Sequence, residues 1–318
     1  MRDTTRDGTR RFALSCALLL SAVAGLLGCR DDDSAAPVRP RPIIDVHLHA
    51  FGADWINYFK DTSWFPPIPR ATHNDSLREQ TLRLLEQSNV VRAVASGVDE
   101  KIVSQWKAAA PDRIIPALVM MLGAPLDSVR AQVKAERIQV LGEAIWQFQG
   151  LGPNDRRLEP VWSLAEELDV PVAIHLGGGP PGIQREMPFR SALGDPLLLE
   201  EVLARHPRLR IWVMHAGYPM GDRMVALLRA FPDVYVDVAG ISVSVPRPEF
   251  HAYLRRLVNA GFGGNIMYGS DQAVWPAIIP YSIEGIESAD FLSPEQKRDI
   301  FCHNAARFLR LEPGLCEG

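Results

Sequence analysis

Ile43-Ile44-Asp45-Val46-His47-Leu48-His49 is the stretch on which the reading of this chain turns. Its isoleucines, valine and leucine form an apolar run of the kind that packs as a buried strand. Side chains two apart on a strand face the same way, so His47 and His49 are placed to grip one ion together while Val46 and Leu48 pack behind. An isolated pair of this kind also fits two partly buried structural histidines, so the metal reading requires partners further along the chain.

Downstream of this stretch, short β-branched runs alternate with helical patterns. Strands are expected at Ile43–His49, Val90–Ala95, Ile114–Val119, Val140–Ile145, Val172–His175, Leu209–His215, Val234–Asp237 and Ile266–Gly269. Helices are expected over Ser76–Gln87, Lys101–Ala110, Leu126–Glu136, Leu158–Leu168, Leu197–Arg205, Asp222–Ala230, Glu249–Ala260 and a final pair around Pro294–Leu311. Leu77, Leu84 and Leu85 illustrate the helical spacing of the apolar residues. This alternation predicts a single (β/α)8 TIM barrel over residues 43–318. A doubly wound open sheet is the alternative, but no Gly-x-Gly-x-x-Gly follows the first strand to recommend it.

A barrel of this kind carries its chemistry at the C-terminal ends of the strands. His47 and His49 end the first expected strand, Glu143 lies in the fourth, His175 ends the fifth, His215 ends the sixth, and Asp271 follows the eighth in Tyr268-Gly269-Ser270-Asp271. Taken singly, His175 and His215 also suit a cap or a core, and Asp271 a turn. Taken together, these imidazoles and carboxylates suit a divalent metal, Zn²⁺ first and Mn²⁺ or Fe²⁺ as alternatives. They also exceed the needs of one tetrahedral ion. A two-ion arrangement gives His47, His49 and Asp271 to one ion, His175 and His215 to the other, and Glu143 to both. His73, His206, His251 and His303 fall in expected helices or loops away from the mouth and are read as structural.

Asp45-x-His47-x-His49, His175, His215 and Gly269-Ser270-Asp271 resemble the amidohydrolase superfamily, and the stretch from Ile43 to Leu311 is similar to its amidohydrolase-related (type 2) branch. The resemblance implies a metal-dependent barrel enzyme whose ligands are the histidine pair of strand one, the histidines of strands five and six, and the aspartate after strand eight. Many relatives bridge two metals with a carboxylated lysine on strand four. Lys60, Lys101, Lys107, Lys134 and Lys297 all lie away from the expected strand ends, which leaves Glu143 as the substitute. Gly142-Glu143, followed by Gln147 and Gln149, is similar to the Gly-Glu segment of TatD-like metal hydrolases.

The expected reaction is hydrolysis of a small molecule's amide, lactone, ester or phosphoester bond by a metal-activated water, with Asp271 relaying the proton. If Glu143 points into the barrel wall instead, the site holds one ion and His215 becomes catalytic, as in the decarboxylase and hydratase relatives. A non-catalytic tethered binding lipoprotein is the third alternative, and the complete ligand set argues against it. Substrate contacts are expected from Trp55, Tyr58, Trp64 and Phe65 after strand one, Trp146 and Gln149 after strand four, and Trp275 after strand eight. Arg185 and Arg190, after strand five, are candidates for a substrate carboxylate. The neighbouring Gly177-Gly178-Gly179-Pro180-Pro181-Gly182 lacks the Gly-Lys-Ser ending of a P-loop and reads as a loop giving substrate close access to backbone.

The N-terminus is a separate problem. Arg2, Arg6, Arg10 and Arg11 precede an uncharged apolar stretch from Phe12 to Leu27, the order of an export signal, and the stretch is short for a membrane span. Leu26-Leu27-Gly28-Cys29 resembles a bacterial lipobox, which implies cleavage after residue 28 and a lipid on Cys29. Thr9-Arg10-Arg11-Phe12 bears a weaker resemblance to a twin-arginine signal. Residues 29–42, acidic and then rich in proline and alanine, read as a tether, so the chain is expected to be exported and lipid-anchored on the periplasmic side of the cell envelope. Loss of Cys16 with the signal would leave Cys302 and Cys316 either as a disulfide or as two unlinked thiols. The 318 residues are 47% hydrophobic and 23% charged, with net charge −4 and a pI near 6.1. That balance offers no basic field to attract nucleic acid.

Overall fold

The computed structural model describes residues 41–58, 67–312 and 314–317. The signal stretch, Cys29, the tether up to residue 40, Trp64 and Phe65 lie outside the described residues. Arg41, assigned to the tether by composition, is held on the barrel by an ion pair to Glu287 at 2.7 Å and by its guanidinium over the Phe301 ring.

Eight parallel strands follow one another round the barrel in chain order: β1 (Ile43–His49), β2 (Val90–Gly97), β3 (Ile114–Met120), β4 (Val140–Ala144), β5 (Val172–His175), β6 (Ile211–Met214), β7 (Tyr235–Asp237) and β8 (Ile266–Met267). β8 returns to β1 through the Val46 N–H donating to the Tyr268 carbonyl at 3.1 Å and the Asp271 N–H donating to the His47 carbonyl at 2.8 Å. The β6 strand stops before His215, and β8 is shorter than expected because Gly269 and Ser270 already turn toward β1. Three helices have no counterpart in the sequence reading: the short Ala53–Tyr58 and Ile241–Ser244, and the longer Ile278–Glu287, whose Pro280 and Gly285 disguise it. Pro280 sits in the first turn, where no intrahelical N–H is required, so Ile278, Ile279 and Ile286 can still bury one face.

Two apolar layers result. The inner one takes Val94, Ala117, Val140, Ala173, Trp212, Met214 and Met267 from the strands and is stopped at the N-terminal end by Cys302, Ala305 and Phe308. The outer one packs strands against helices, as with Leu48, Ala95, Leu141, Ile174 and Val213. A disulfide joins Cys302 to Cys316 and pins the C-terminal tail across that stopped end.

Bulges decide which side chains of β1 and β4 enter the barrel. β1 pairs Asp45 with Ala93 but Leu48 with Ala95, and β4 pairs Leu141 with Val172 but Ala144 with Ile174, so each strand uses one residue more than its neighbour. Strict alternation is therefore broken. Val46, expected to pack behind the histidines, lies in the inner layer like Ile44, and only Leu48 packs outward. His47 turns inward directly after Val46, and Glu143 directly after Gly142. Gly142 is required by close approach, since a Cβ there would lie 2.4 Å from the Cβ of Ala173.

Candidate metal centre

The six expected ligands meet at the C-terminal mouth. His47 and His49 arrive from β1, Glu143 from the β4 bulge and His175 from the end of β5. His215 and Asp271 adopt left-handed backbone with φ of 56° and 55°, which turns both side chains back over the mouth just after β6 and β8. Such conformations are costly for residues with a Cβ and are tolerated where surrounding structure imposes them. Gly240 makes room for them, since a Cβ at that position would stand 2.7 Å from Asp271 Oδ2 and 3.1 Å from His215 Nδ1.

The hydrogen bonds settle which ring nitrogens face the centre. His215 Nδ1–H donates to the Ala239 carbonyl at 2.9 Å, and His175 Nε2–H to the Gly178 carbonyl at 3.2 Å. His47 Nδ1–H donates to Asp237 Oδ2 at 3.2 Å. When these rings are neutral, their remaining nitrogens are lone pairs directed inward. His215 Nε2 lies 3.0 Å from His175 Nδ1, and His175 Nδ1 lies 2.7 Å from Glu143 Oε1. His47 Nε2 is buried without a hydrogen-bond partner, 3.8 Å from Glu143 Oε2 and 3.7 Å from Asp271 Oδ1. His49 Nε2 is 3.0 Å from Asp271 Oδ1 and 3.6 Å from Glu143 Oε2. Acceptors crowded together in this way repel one another unless a proton or a cation lies among them, and the donor set suits a divalent cation.

Ligand atoms within 4.8 Å of one another fall into three groups: His47 with His49 and Glu143; Glu143 with His175 and His215; and His47 with His215 and Asp271. Glu143 is common to the first two. Burial opposes its charge, but the imidazoles gathered round it, His175 first and then His215 and His47, overcome burial and hold it well below the usual glutamate range. Asp271 is likewise opposed by burial, and His47 and His49 bring it below its ordinary value. Burial keeps His175 low, while His47 and His215 are raised despite burial, His47 chiefly by Asp237 and Asp271, His215 chiefly by Glu143 and Asp271. Ionised carboxylates facing imidazoles are the forms a metal requires once the imidazole protons leave.

Asp237, at the end of β7, was missed by sequence reading. Its Oδ2 accepts from His47 Nδ1 and, at 3.1 Å, from Trp212 Nε1; its Oδ1 accepts from the backbone N–H of His215 and Ala239. One buried carboxylate thus orients two ligands. The available signal was its place, an acid at the C-terminal end of an apolar strand. Asp45 stays behind the cluster, its Oδ1 accepting from the N–H groups of His47 and Ser270, and burial pushes its carboxyl up to about 7. Gln272 accepts from the His49 N–H and donates to the His49 carbonyl, which fixes the end of β1.

The expected substrate contacts divide. Trp146 is buried edge-on to Trp162, and Phe148, two residues further along the turn, lies beside His175 at 4.7 Å. Gln149 accepts from the Leu122 N–H and so ties the loops after β3 and β4 together. Arg185 is exposed on the loop after β5, and Trp275 is buried after β8. His73, His206, His251 and His303 are held away from the cluster by Ser76, Glu159, the Gly285 carbonyl and Asp299, respectively.

The sequence matches the amidohydrolase family over residues 44–311. No curated protein matches it. Among solved structures it resembles an uncharacterised TIM-barrel protein from Bordetella bronchiseptica, with 18% identity and TM-score 0.64 over 85% of this chain and 98% of that one. A probable 2-pyrone-4,6-dicarboxylic acid hydrolase from Acinetobacter baumannii, crystallised with citric acid, gives 15% and 0.61 over 85% and 99%. A 5-carboxyvanillate decarboxylase from Novosphingobium aromaticivorans, crystallised with manganese, gives 12% and 0.60 over 85% and 96%. At these identities the likeness concerns the fold.

Proposed function

This chain belongs to the amidohydrolase family and is a metal-dependent enzyme of that superfamily; from that premise we propose that it hydrolyses an amide, lactone, ester or phosphoester bond of a small molecule at a two-ion centre. The observation that carries the reading is the place of Glu143, whose oxygens face His47 and His49 on one side and His175 and His215 on the other. His47, His49 and Asp271 would hold one ion, His175 and His215 the other, with Glu143 between them. Bound divalent ions, zinc first, would lower the pKa of water from about 15.7 to about 7 and polarise the oxygen under attack. Asp271 is ionised at neutral pH and partly exposed to the mouth, so it can take the proton of the attacking water and return it to the leaving group. Asp237 keeps His47 in the tautomer this requires and places His215 through its backbone N–H.

A one-ion decarboxylase or hydratase is the second reading. It is supported by the group formed by His47, His215 and Asp271 and by the activity for which the manganese-bound neighbour is named. Elemental analysis of the gently purified protein separates the two. Two ions per chain, with turnover in a panel of lactones, amides, esters and phosphoesters, is the expected result. One ion with release of carbon dioxide from aromatic acids would replace hydrolysis by decarboxylation.

The export reading is also a proposal. The Cys302–Cys316 bridge supports an oxidising compartment. Palmitate-analogue labelling that disappears in Cys29→Ser is expected for a lipid-anchored envelope protein, and an unlabelled, processed wild type would remove the anchor.

A further inference from the structure

β1 and β5 stand on opposite sides of the eight-stranded ring, yet the segments that follow them touch. From the β1 side, Phe51 stacks on His49 at 4.4 Å, Trp55 stacks on Phe51 at 5.2 Å, and Tyr58 meets the edge of Trp55 at 5.8 Å. From the other side, Phe148 lies 4.7 Å from His175, and Phe189 lies 5.0 Å from Phe148. Between them, the Tyr58 hydroxyl donates to Glu186 Oε2 at 2.7 Å. A contact between segments leaving opposite strands passes over the mouth. Aromatic rings and the Tyr58–Glu186 hydrogen bond therefore form an arch from one expected metal ligand, His49, to another, His175.

We propose that Tyr58 and Glu186 latch this arch over the mouth and are specificity determinants, admitting compact single molecules with a flat apolar part and excluding chains such as peptides or glycans. An extended polymer needs a groove open at both ends, and an arch anchored on both rims denies it one. Phe148, half-buried beside His175, offers an admitted molecule an apolar face. Both latch residues are exposed, so their hydrogen bond competes with water. Burial and the Glu186 carboxylate push the Tyr58 phenol up to about 12, so it remains a donor under ordinary conditions. The inference rests on the reading of the mouth as a metal centre.

The test uses full-length, zinc-loaded protein with Tyr58→Phe and Glu186→Gln, which keep the size of each side chain. Hydrogen exchange is followed in segments 51–58 and 183–190. Each substitution is expected to speed exchange in the opposite segment as well as its own, and effects confined to the substituted segment would overturn the latch. Zinc release is then compared between free dipicolinate and dipicolinate coupled to dextran. Wild type is expected to lose zinc several-fold faster to the free chelator per chelating group, with both variants narrowing that preference. A preference absent from wild type, or unchanged in the variants, would overturn size selection. A chain that takes up no zinc would defeat the proposed function, and the exchange experiment would still report on the latch.

Discussion

The two ends of this barrel are built on opposite rules. The C-terminal mouth concentrates buried imidazoles and carboxylates, left-handed backbone at His215 and Asp271, and a buried ring nitrogen of His47 with no hydrogen-bond partner. The N-terminal end is apolar: Trp212, Phe308 and Ala305 fill it, and a disulfide holds the tail across it. The mouth can carry arrangements that lower stability because the strand–helix layer and the closed end fix the ring without it.

Substitutions at the two ends can break that contrast. The largest effect is expected for Asp271→Asn, which should reduce turnover by roughly 10²–10⁴-fold while leaving the melting temperature and most bound metal close to wild type. Steady-state kinetics beside elemental analysis checks this, and near-normal turnover would remove Asp271 from the chemistry. Phe308→Ala at the closed end should do the reverse, costing about 3–5 kcal/mol in denaturant unfolding with unchanged turnover per folded molecule. Replacing both Cys302 and Cys316 by alanine should cost less, about 3 kcal/mol for a loop of this length, again without touching kinetics. A loss of activity in either of these variants at a temperature where it is folded would show the two ends to be coupled.

Asp237→Asn sharpens the comparison because Asp237 reaches the ligands from inside the ring. It should weaken metal binding by about 10–100-fold, read by chelator competition, with a smaller loss of stability than Phe308→Ala. The smallest effect belongs to neither end. The Asp155 carboxyl is drawn down to about 2, first by its side-chain bonds with Arg157 and then by the Arg157 N–H. A carboxyl depressed in the folded state contributes stability above its unfolded value of 3.8 and loses it as pH falls through about 2. Asp155→Asn should flatten the acid limb of an unfolding curve in that window and leave activity at neutral pH unaltered.

Much of this molecule was legible in its sequence because period and position carry it. Alternating apolar runs and helical spacing give the barrel, and ionisable residues at the ends of those runs give His47, His49, Glu143, His175, His215 and Asp271. What escaped depends on contacts between distant segments. Asp237 is recognisable only once His47 and Trp212 are seen to share it. That Phe148 rather than Trp146 lies beside His175 follows from the turn after β4, a short 3₁₀ segment whose facing no spacing rule supplies. The helix over Ile278–Glu287 was masked by a proline that its first turn accommodates.

The bulges in β1 and β4 separate two alphabets within one strand. Below each bulge, alternate residues answer to the packed interior; above it, the phase is reset and they answer to the ligand set. A single-residue deletion across Asp45–Leu48 would keep Ile44 seated while turning both histidines out of their places, so the chain would still close its ring and would lose its metal site in one step. Drift in the packing below the bulge is correspondingly free to proceed without disturbing the chemistry above it.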